Sequence, residues 1–353
     1  MIKYYTRACN FKYGSIARRL IKNKVALPLC GNKNISFEEI EIISRNKNKI
    51  YSKIINYKKI NTLSTLLRSK VRKDLKNITS RRKNFLNNVK FLEPCIMGIL
   101  NLTPDSFSDG GKFNKVAKAE KHISKMIMSG AKIIDVGGES TRPGSKTILD
   151  KVEWKRVKNI VSKFKKSHKK TCLSIDTRKL NVMINSIKYG ADLINDVSGF
   201  NFDKTSLSNL KKYKVGKVLH HMQGTPNTMQ KKPKYKNVLL DIYDYFEEGI
   251  KKINDKQIII DPGIGFGKNL KHNLTLISKI SLFHSLGFPI LVGTSRKRFI
   301  SQISGNYDSK DRTGGTLASI LFLLSQGIQI FRVHNVHEVK QGILVFKKIL
   351  SNE

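Results

Sequence analysis

Polar and charged residues end eight short apolar runs in the second part of the chain. In chain order they are Asn101, Asp135, Asp176, Asn195 with Asp196, His220 with His221, Asp261, Ser295 with Arg296 and Lys297, and Arg332 with His334. A single Asp or Asn at such a place is commonly a helix cap. Repetition at all eight places instead predicts a ligand site, because so many polar groups would be costly to bury without a partner.

The mixture of side chains indicates the kind of ligand. Carboxylate and amide groups together match the donor and acceptor edge of a flat, amide-like heterocycle. Arg142 and Arg332 favour an anion, because a guanidinium group can grip two oxygen atoms at once. Lys297 and His334 add further positive charge. Asn101 offers an oxygen of the kind that Mg2+ accepts beside phosphates. A polar heterocycle with a phosphate group and Mg2+ is therefore predicted, while the reaction stays open at this point.

Eight predicted strands must position these residues. The apolar runs are CIMGIL, KIIDV, CLSID, ADLIND, GKVLHH, QIIIDP, PILVG and GIQIFRVH. Stretches of helical periodicity follow them, at 116–129, 152–167, 180–189, 205–211, 238–254, 273–283, 316–326 and 337–350. Eight strand–helix units over about 260 residues predict an α/β protein with a (β/α)8 barrel, whose active site lies at the C-terminal ends of the strands. A doubly wound sheet is the structural alternative, but GIGFGK follows the sixth strand and lacks the phosphate-loop spacing.

Residues 1–92 are predicted to form a basic N-terminal extension, and residues 93–353 the barrel. The extension contains 23 Lys and Arg against 4 Asp and Glu. Residues 4–6 and the stretch ISFEEIEII are predicted as short strands, and residues 50–90 mainly as basic helix. The extension is thus expected to be a small α/β or helical domain.

The formal net charge of +41 has two interpretations. Lys, Asn and Ile are abundant throughout the chain, which favours a compositional bias. The alternative is a polyanion such as RNA, or a membrane surface, bound by the basic segment 70–85. Aromatic residues are sparse in that segment, so nucleic acid is not expected as a partner.

Cysteine use and hydropathy bear on the compartment. The four cysteines form no CxxC pair, and they are Cys9, Cys30, Cys95 and Cys172. We therefore predict neither a disulfide framework nor a zinc site. The sequence contains no run of 18 apolar residues, the length that would predict a membrane span. The N-terminus lacks the apolar segment of a secretory signal. We expect a cytoplasmic protein without a membrane partner.

Eight longer motifs contain the polar residues. They are MGILNLTPDSFSDGG (97–111), DVGGESTRPG (135–144), SIDTRK (174–179), INDVSG (194–199), HMQGTPNTMQ (221–230), DPGIGFGK (261–268), VGTSRKRFI (292–300) and RVHNV (332–336). In this order and spacing they resemble the dihydropteroate synthase family. The resemblance implies a transferase of folate biosynthesis, which condenses 6-hydroxymethyl-7,8-dihydropterin pyrophosphate with p-aminobenzoate to give 7,8-dihydropteroate and pyrophosphate. It also implies Mg2+ as cofactor, sulfonamides as competitors and a homodimer.

The resemblance further implies roles for single residues. The pterin is expected at Asp176, Asn195, Met222, Asp261, Phe266, Gly293, Lys297 and Arg332. The pyrophosphate is expected at Asn101, Arg142, Arg332 and His334, with Asn101 as the metal contact. Two loops that close over p-aminobenzoate are expected to contribute Asp105, Phe107, Thr141, Arg142 and Pro143. The residues expected to act in catalysis are Asp176, Lys297, Arg142, Arg332 and His334.

Two positions depart from the family pattern. Arg298 stands where some relatives have Ser near the p-aminobenzoate carboxylate, and Asn335 stands where many have Asp. Other functions remain as alternatives. A pterin-binding methyltransferase would share the barrel but lack the NLTPDSF, STRPG and SRK motifs that are present here. A nucleic-acid-binding protein would use residues 50–90 and bind RNA in a salt-dependent manner.

Overall fold

The computed structural model describes residues 2–86, 88–103, 112–141, 144–305 and 308–351. The front region, which we define as residues 2–79, contains two antiparallel three-stranded sheets, with strand orders β1-β5-β6 and β2-β4-β3. Its elements are β1 (Lys3–Cys9), β2 (Lys12–Tyr13), α1 (Gly14–Lys22), β3 (Leu27–Leu29), β4 (Asn32–Phe37), β5 (Glu39–Asn46), β6 (Lys49–Asn56), a 3-10 helix (Tyr57–Thr62) and α2 (Thr65–Thr79).

The sequence predicted this region only in part. The strands expected at residues 4–6 and in ISFEEIEII are confirmed. The prediction of helix over residues 50–90 is met by α2 and by the 3-10 helix Tyr57–Thr62, and it is wrong for residues 50–56, which belong to β6, and for the described residues 80–90. β6 pairs with β5 along its whole length, because its alternating Ile, Tyr and Lys residues suit an exposed edge strand. The described residues from 80 to 94 form neither helix nor strand.

The remainder of the chain alternates strand and helix. Its strands are β7 (Cys95–Asn101), β8 (Ile133–Gly137), β9 (Cys172–Asp176), β10 (Leu193–Asp196), β11 (Gly216–His220), β12 (Ile258–Asp261), β13 (Leu291–Val292) and β14 (Ile330–Val333). Its helices are α3 (Lys112–Met128), α4 (Asp150–Ser167), α5 (Leu180–Lys188), α6 (Ser206–Leu210), α7 (Val238–Ile253), α8 (Leu270–Ser278), α9 (Arg298–Ser304), α10 (Thr313–Ser325) and α11 (Val336–Ser351). Two 3-10 helices, Ile280–Leu286 and Ser309–Asp311, lie between them.

The eight strands form one parallel sheet that closes on itself. Their order is β12-β11-β10-β9-β8-β7-β14-β13. A single parallel bridge between Ile260 and Ile290 joins β12 to the start of β13, with Ile260 N donating to Pro289 O at 3.0 Å. The (β/α)8 barrel and all eight strands are thereby confirmed. The eight predicted helices are also present, whereas α9 was not predicted because it is a short turn of helix directly after the Ser-Arg-Lys motif.

Apolar side chains fill the lower half of the barrel. Met97, Ile133, Cys172, Leu193, Val218, Ile259, Leu291 and Ile330 come from the eight strands and form one buried cluster. Leu86, Val89 and Phe91 belong to the same cluster and close its floor. The segment just before β7 thus contributes to the barrel core, which leaves the polar upper end available for a ligand.

The front region packs against the side of the barrel. The rings of Tyr5 and Tyr243 meet edge to face, 5.1 Å apart. Arg45 bridges Asp241 (2.7 Å) and Asp244 (2.5 Å) of α7. Burial of aromatic surface and these ion pairs fix α7, the helix that follows the loop after β11.

The four cysteines are free and buried. In the described parts of the chain, no helix has the length and apolar character needed to cross a membrane.

Candidate active site

The register of the parallel strands brings the predicted residues to one end of the barrel. Asn101 pairs with Gly137, Gly137 with Asp176, and Asp176 with Asn195 across four neighbouring strands. Carboxyl ends of parallel barrel strands form one face, which is where such enzymes hold their ligands. The sequence prediction of a shared polar mouth is thus met by the strand pairing.

Arg332 lies at the centre of a buried polar cluster. Its Nε donates to Asp135 Oδ2 and its Nη2 donates to Asp176 Oδ2, both at 2.6 Å. Asp135 also accepts hydrogen bonds from Ser174 Oγ at 2.5 Å and Asn195 Nδ2 at 3.1 Å. The fork geometry of the guanidinium group holds the two carboxylates apart in fixed orientations.

Two oxygen atoms of this cluster accept no hydrogen bond from the described residues. Within the described residues, Asp176 Oδ1 and Asn195 Oδ1 are buried and have no hydrogen-bond partner. Burial raises the pKa of Asp176 to about 7, although the guanidinium of Arg332 opposes the rise. Buried acceptors without partners are costly, so their presence side by side points to a ligand that donates hydrogen bonds.

Lys297 and Asp261 are two further charged groups of the site, close enough to Arg332 for its charge to act on both. Lys297 Nζ stands 4.0 Å from the centre of the Phe266 ring, a distance typical of a cation–π contact. Burial and the charge of Arg332 lower the pKa of Lys297 to about 8. Burial raises the pKa of Asp261 to about 6, against the hydrogen bond that its Oδ1 accepts from Gly263 N. Both groups can therefore change charge near neutral pH.

An apolar wall borders these charged groups. We define it as Val197, Met222, Met229 and Phe266, which pack together. Gly293 lies next to Arg332, and a Cβ atom at this position would stand 3.7 Å from Arg332 Cβ. A flat ring could lie along the wall while its edge meets the polar cluster. The predicted pterin residues Met222, Phe266 and Gly293 thus share one site with Asp176.

His334 is held by a neighbour that the sequence analysis gave no role of its own. Ser295 Oγ lies 3.0 Å from His334 Nδ1, and His334 N donates to Ser295 Oγ at 3.2 Å. Nearby, Arg296 donates from Nε and Nη2 to Asn335 Oδ1. The side chain of His334 is therefore oriented by the loop after β13.

A buried ionic network supports the loop after β8. Lys179 Nζ donates to Glu139 Oε1 at 2.9 Å and to Glu153 Oε2 at 2.6 Å, and Arg178 Nε donates to Glu139 Oε2 at 2.9 Å. Burial alone would raise the pKa of Glu139, but the hydrogen bonds from Arg178 and Lys179 outweigh it and lower that pKa. Glu139 Oε1 also accepts from Ile148 N, so one side chain ties both ends of residues 139–148.

Four of the predicted site residues belong to parts of the chain that the structure does not describe. Asp105, Phe107, Arg142 and Pro143 lie outside the described residues. Thr141 is described and is partly exposed in the loop that Glu139 anchors. Among the described residues, no group of three His, Cys, Asp or Glu side chains could hold a metal ion.

Sequence reasoning missed three parts of the site. Asp135 was noted as polar but given no role, although a fully buried Asp inside an apolar strand is itself a signal. Glu139 and Lys268 were not singled out, because a charged residue in a loop motif gives no sign that it will be buried. Asp196, by contrast, serves the backbone, since it accepts hydrogen bonds from Ser198 N and Phe200 N.

Comparison with known proteins identifies the family of the chain. Residues 97–334 match the family model described as pterin binding enzyme. The dihydropteroate synthase of Escherichia coli K12 is 41% identical over 263 residues, which cover 73% of this chain and 92% of that protein. The enzyme of the same name from Clostridium beijerinckii is 43% identical over 249 residues, covering 69% of this chain and 89% of that protein.

Solved structures with a similar fold are also dihydropteroate synthases. The Yersinia pestis dihydropteroate synthase, in a sulfonamide drug complex, superposes with a TM-score of 0.70 at 38% identity, covering 74% of this chain and 96% of that one. The Xanthomonas albilineans enzyme with 4-aminobenzoic acid has a TM-score of 0.70 at 32% identity, covering 76% and 98%. The motifs, the barrel mouth and these relatives together show that the chain belongs to the dihydropteroate synthase family, a family of pterin-binding transferases.

Proposed function

We propose that the barrel mouth joins p-aminobenzoate to 6-hydroxymethyl-7,8-dihydropterin pyrophosphate, which gives 7,8-dihydropteroate and pyrophosphate. One observation carries the proposal most directly. Asp176 Oδ1 and Asn195 Oδ1 are buried acceptors without a partner among the described residues, and they stand beside Arg332. The ring N–H and amino groups of a pterin are donors that would satisfy them.

The remaining pterin contacts follow from the surroundings. We propose that Asp261 and Lys297 meet the opposite edge of the heterocycle, while Met222 and Phe266 pack on its face. Their support is that Lys297 already rests on the Phe266 ring and that Met222 packs beside the same ring. Arg332 would lie over the ring and reach toward the pyrophosphate.

The leaving group defines the second half of the site. We propose that Arg332, His334 and Arg142 bind the pyrophosphate and stabilise the negative charge that develops as it departs. His334 is oriented for this by Ser295. Arg142 is assigned from the family motif alone, since it lies outside the described residues.

Asn101 is proposed as the contact for Mg2+. A single amide oxygen, with no cluster of carboxylates among the described residues, fits an ion that is held chiefly by phosphate oxygens and water. When bound, Mg2+ would neutralise charge on the pyrophosphate. The ion is a proposal that chelation can test, since EDTA should abolish turnover and excess Mg2+ should restore it.

The proposed reaction is a substitution at the exocyclic carbon of the pterin. The bond from this carbon to the pyrophosphate oxygen breaks, and the positive charge left on the carbon spreads into the ring. The carboxylate of Asp176 would stabilise that charge, and Arg332 would keep the carboxylate ionised. The amine nitrogen of p-aminobenzoate then bonds to the carbon and loses a proton. No covalent intermediate with the protein is required.

p-Aminobenzoate is proposed to bind above the pterin, between two loops. The assignment of Asp105, Phe107, Thr141, Arg142 and Pro143 to this pocket rests on the family motifs. Its support from a relative is the Xanthomonas albilineans structure with 4-aminobenzoic acid. The loops would also exclude water, which could otherwise capture the cation. Sulfonamides are expected to compete for the same pocket.

We further propose a homodimer in the cytoplasm. Support for the dimer comes from apolar side chains on α10 and α11, about half exposed: Phe322, Leu344, Val345 and Ile349. Such patches commonly mark protein interfaces. Light scattering of the protein and of Val345→Lys would test the dimer, since an added charge should dissociate it.

The decisive experiment measures pyrophosphate release by the purified protein with the pterin substrate and Mg2+. Release should require p-aminobenzoate and should yield dihydropteroate in equal amount. Binding of the pterin without turnover would refute the proposed reaction and favour a pterin-binding protein of different chemistry.

A further inference from the structure

Lys268 is a buried lysine that the proposed reaction does not use. The residue is only 2% exposed. Its Nζ donates to Phe266 O at 2.8 Å and to His221 O at 3.3 Å, and it lies 3.0 Å from His221 Nδ1. An ammonium group has three N–H donors, and here it meets two carbonyl oxygens and, in the Nε2–H tautomer of His221, a third acceptor at Nδ1. The acceptors come from two different loops, the one after β11 and the one after β12.

Both loops carry the apolar wall of the pterin site. Met222 follows His221 directly, and Phe266 supplies one of the carbonyl groups that Lys268 binds. Met222 and Phe266 pack together, and Lys297 Nζ stands over the Phe266 ring. The ammonium of Lys268 therefore ties the backbone on either side of the proposed ring contacts.

His221 is braced from a second direction. Its ring meets the ring of Tyr245 edge to face at 4.9 Å. Tyr245 Oη in turn donates to His220 O at 2.8 Å. The His221 ring is thus held between α7 and Lys268, so a change at Lys268 is transmitted to the loop after β11.

The charge of Lys268 is costly where it stands. In the described part of the chain, its Nζ contacts two carbonyl oxygens and an imidazole nitrogen, none of which is a carboxylate. Burial lowers its pKa well below the ordinary value, although the charge of Asp261 opposes the fall. An apolar side chain of similar length would avoid this cost. Features that cost stability are typical of functional sites rather than of plain cores.

We propose that Lys268 is a positioning residue for the pterin, which clasps the Met222 loop to the Phe266 loop and so fixes the apolar wall under the ring. This inference rests on the proposed function. It concerns the heterocycle and not p-aminobenzoate, because both clasped loops border the pterin half of the site.

The test uses the full chain with Lys268→Met and a matched control, Lys271→Met. Lys271 lies three residues further on, in the first turn of α8, and is exposed. The control therefore removes a lysine charge close to Lys268 in the chain without removing a buried contact. Calorimetry should show the Kd of the pterin pyrophosphate, with Mg2+, raised about tenfold to a hundredfold by Lys268→Met, as small displacements of contacting groups typically cause. In Lys268→Met, the KM for p-aminobenzoate should stay near the wild-type value. In Lys271→Met, both the Kd of the pterin pyrophosphate and the KM for p-aminobenzoate should stay near their wild-type values.

The outcomes separate this inference from the proposed function. An unchanged Kd in Lys268→Met, or an equal rise in the KM of both substrates, would overturn the clasp. Absence of pterin binding in the wild type would overturn the proposed function instead. If Lys268→Met does not fold, Lys268→Gln keeps a polar N–H group, but its nitrogen lies one atom nearer the backbone than lysine Nζ, so it should not reach the carbonyl groups of both loops at once. Its Kd should lie above that of wild type, and a wild-type Kd would again refute the clasp.

Discussion

At the scale of single residues, Arg332 decides the shape of the site. Its guanidinium group joins Asp135 and Asp176, two buried carboxylates from neighbouring strands. A lysine could neutralise charge at this place but could not span both carboxylates in one plane. A change of Arg332 to lysine therefore keeps the positive charge at this position and removes the planar fork, so the contribution of each to activity can be measured separately.

We expect Arg332→Lys to lower kcat/KM by about a hundredfold, the usual cost of losing one oriented stabilising group. Steady-state assays with both substrates would measure the loss. Arg18→Lys is the control, since Arg18 is exposed in α1 and donates a hydrogen bond to Asn34, far from the barrel mouth in sequence. Activity within a factor of about two of wild type in Arg332→Lys would show that positive charge alone suffices.

The titration of buried groups predicts a narrow pH optimum. Asp176 must be ionised and Lys297 must be protonated, and burial brings their pKa values to about 7 and about 8. The profile of kcat/KM should therefore rise through the first value and fall through the second. In Lys297→Arg the alkaline limb should vanish, because an arginine stays charged. An alkaline limb that survives in this variant would have to come from another group.

The same shifts have a defined effect on stability. Burial lowers the folded-state pKa of Lys297 from 10.5 to about 8, so the unfolded chain binds more protons between these values. The contribution of Lys297 to the free energy of unfolding therefore rises across that interval. Asp176 acts in the opposite sense: its pKa is raised from 3.8, so its contribution falls as the pH rises from about 4 to 7.

At the scale of elements, the loop after β8 depends on Glu139. This carboxylate joins Arg178, Lys179 and the Ile148 amide, so it holds the two ends of residues 139–148 together. Glu139 belongs to the same sequence motif as Thr141, Arg142 and Pro143, which are proposed to contact p-aminobenzoate. The hydrogen bonds that Glu139 accepts in the described chain come from Arg178, Lys179 and Ile148.

Glu139→Gln should raise the KM for p-aminobenzoate while the Kd of the pterin stays near wild type. It should also lower the free energy of unfolding by about 3 kcal/mol, because two buried cations lose a partner. Urea unfolding and steady-state kinetics would measure both effects. Asp150→Asn is the control, a partly exposed acid at the start of α4 that accepts a hydrogen bond from Asn181 and none from Arg178 or Lys179. An unchanged KM for p-aminobenzoate would show that the loop holds its shape without this anchor.

The sequence predicted the elements of the barrel well because each strand is a short apolar run with a polar end. It could not predict partners that are distant in the chain. Arg332 and Asp135 are 197 residues apart, and Lys268 and His221 are 47 apart. β6 was mistaken for helix because its Ile and Lys residues suit either period, and only pairing with β5 decides between them.

At the scale of the whole molecule, part of the basic charge has a structural use. Lys3 and Arg45 of the front region bind the acidic residues Asp241, Asp244 and Glu247 of α7. Composition alone could not separate these cations from the surrounding lysines. The front region therefore acts as a support for the barrel wall, whatever else it binds.

We propose that the barrel, as a folding unit, begins before residue 92. Leu86, Val89 and Phe91 fill its floor, and removal of a buried apolar side chain costs about 2–5 kcal/mol. A chain that starts at residue 84 should therefore have a higher Tm than one that starts at residue 92. Calorimetric scans of both chains would measure the difference. Equal Tm values would place the boundary at residue 92 after all.

Pterin binding by the folded chain 84–353 is also expected, because the front region contributes no residue to the polar cluster around Arg332. Loss of binding in that chain would show that support of α7 is needed for the site.

The single bridge between Ile260 and Ile290 makes the barrel unequal around its circumference. Every other neighbouring pair of strands shares at least two residues in register, so local opening should begin at this seam. The seam runs between the strand of Asp261 and the strand that leads to Lys297. In amide hydrogen exchange, Ile260 should consequently be the least protected strand residue of the barrel, and a ligand that links Asp261 to Lys297 should slow its exchange. The bound substrate would then strengthen the connection between β12 and β13, which the backbone joins by a single bridge.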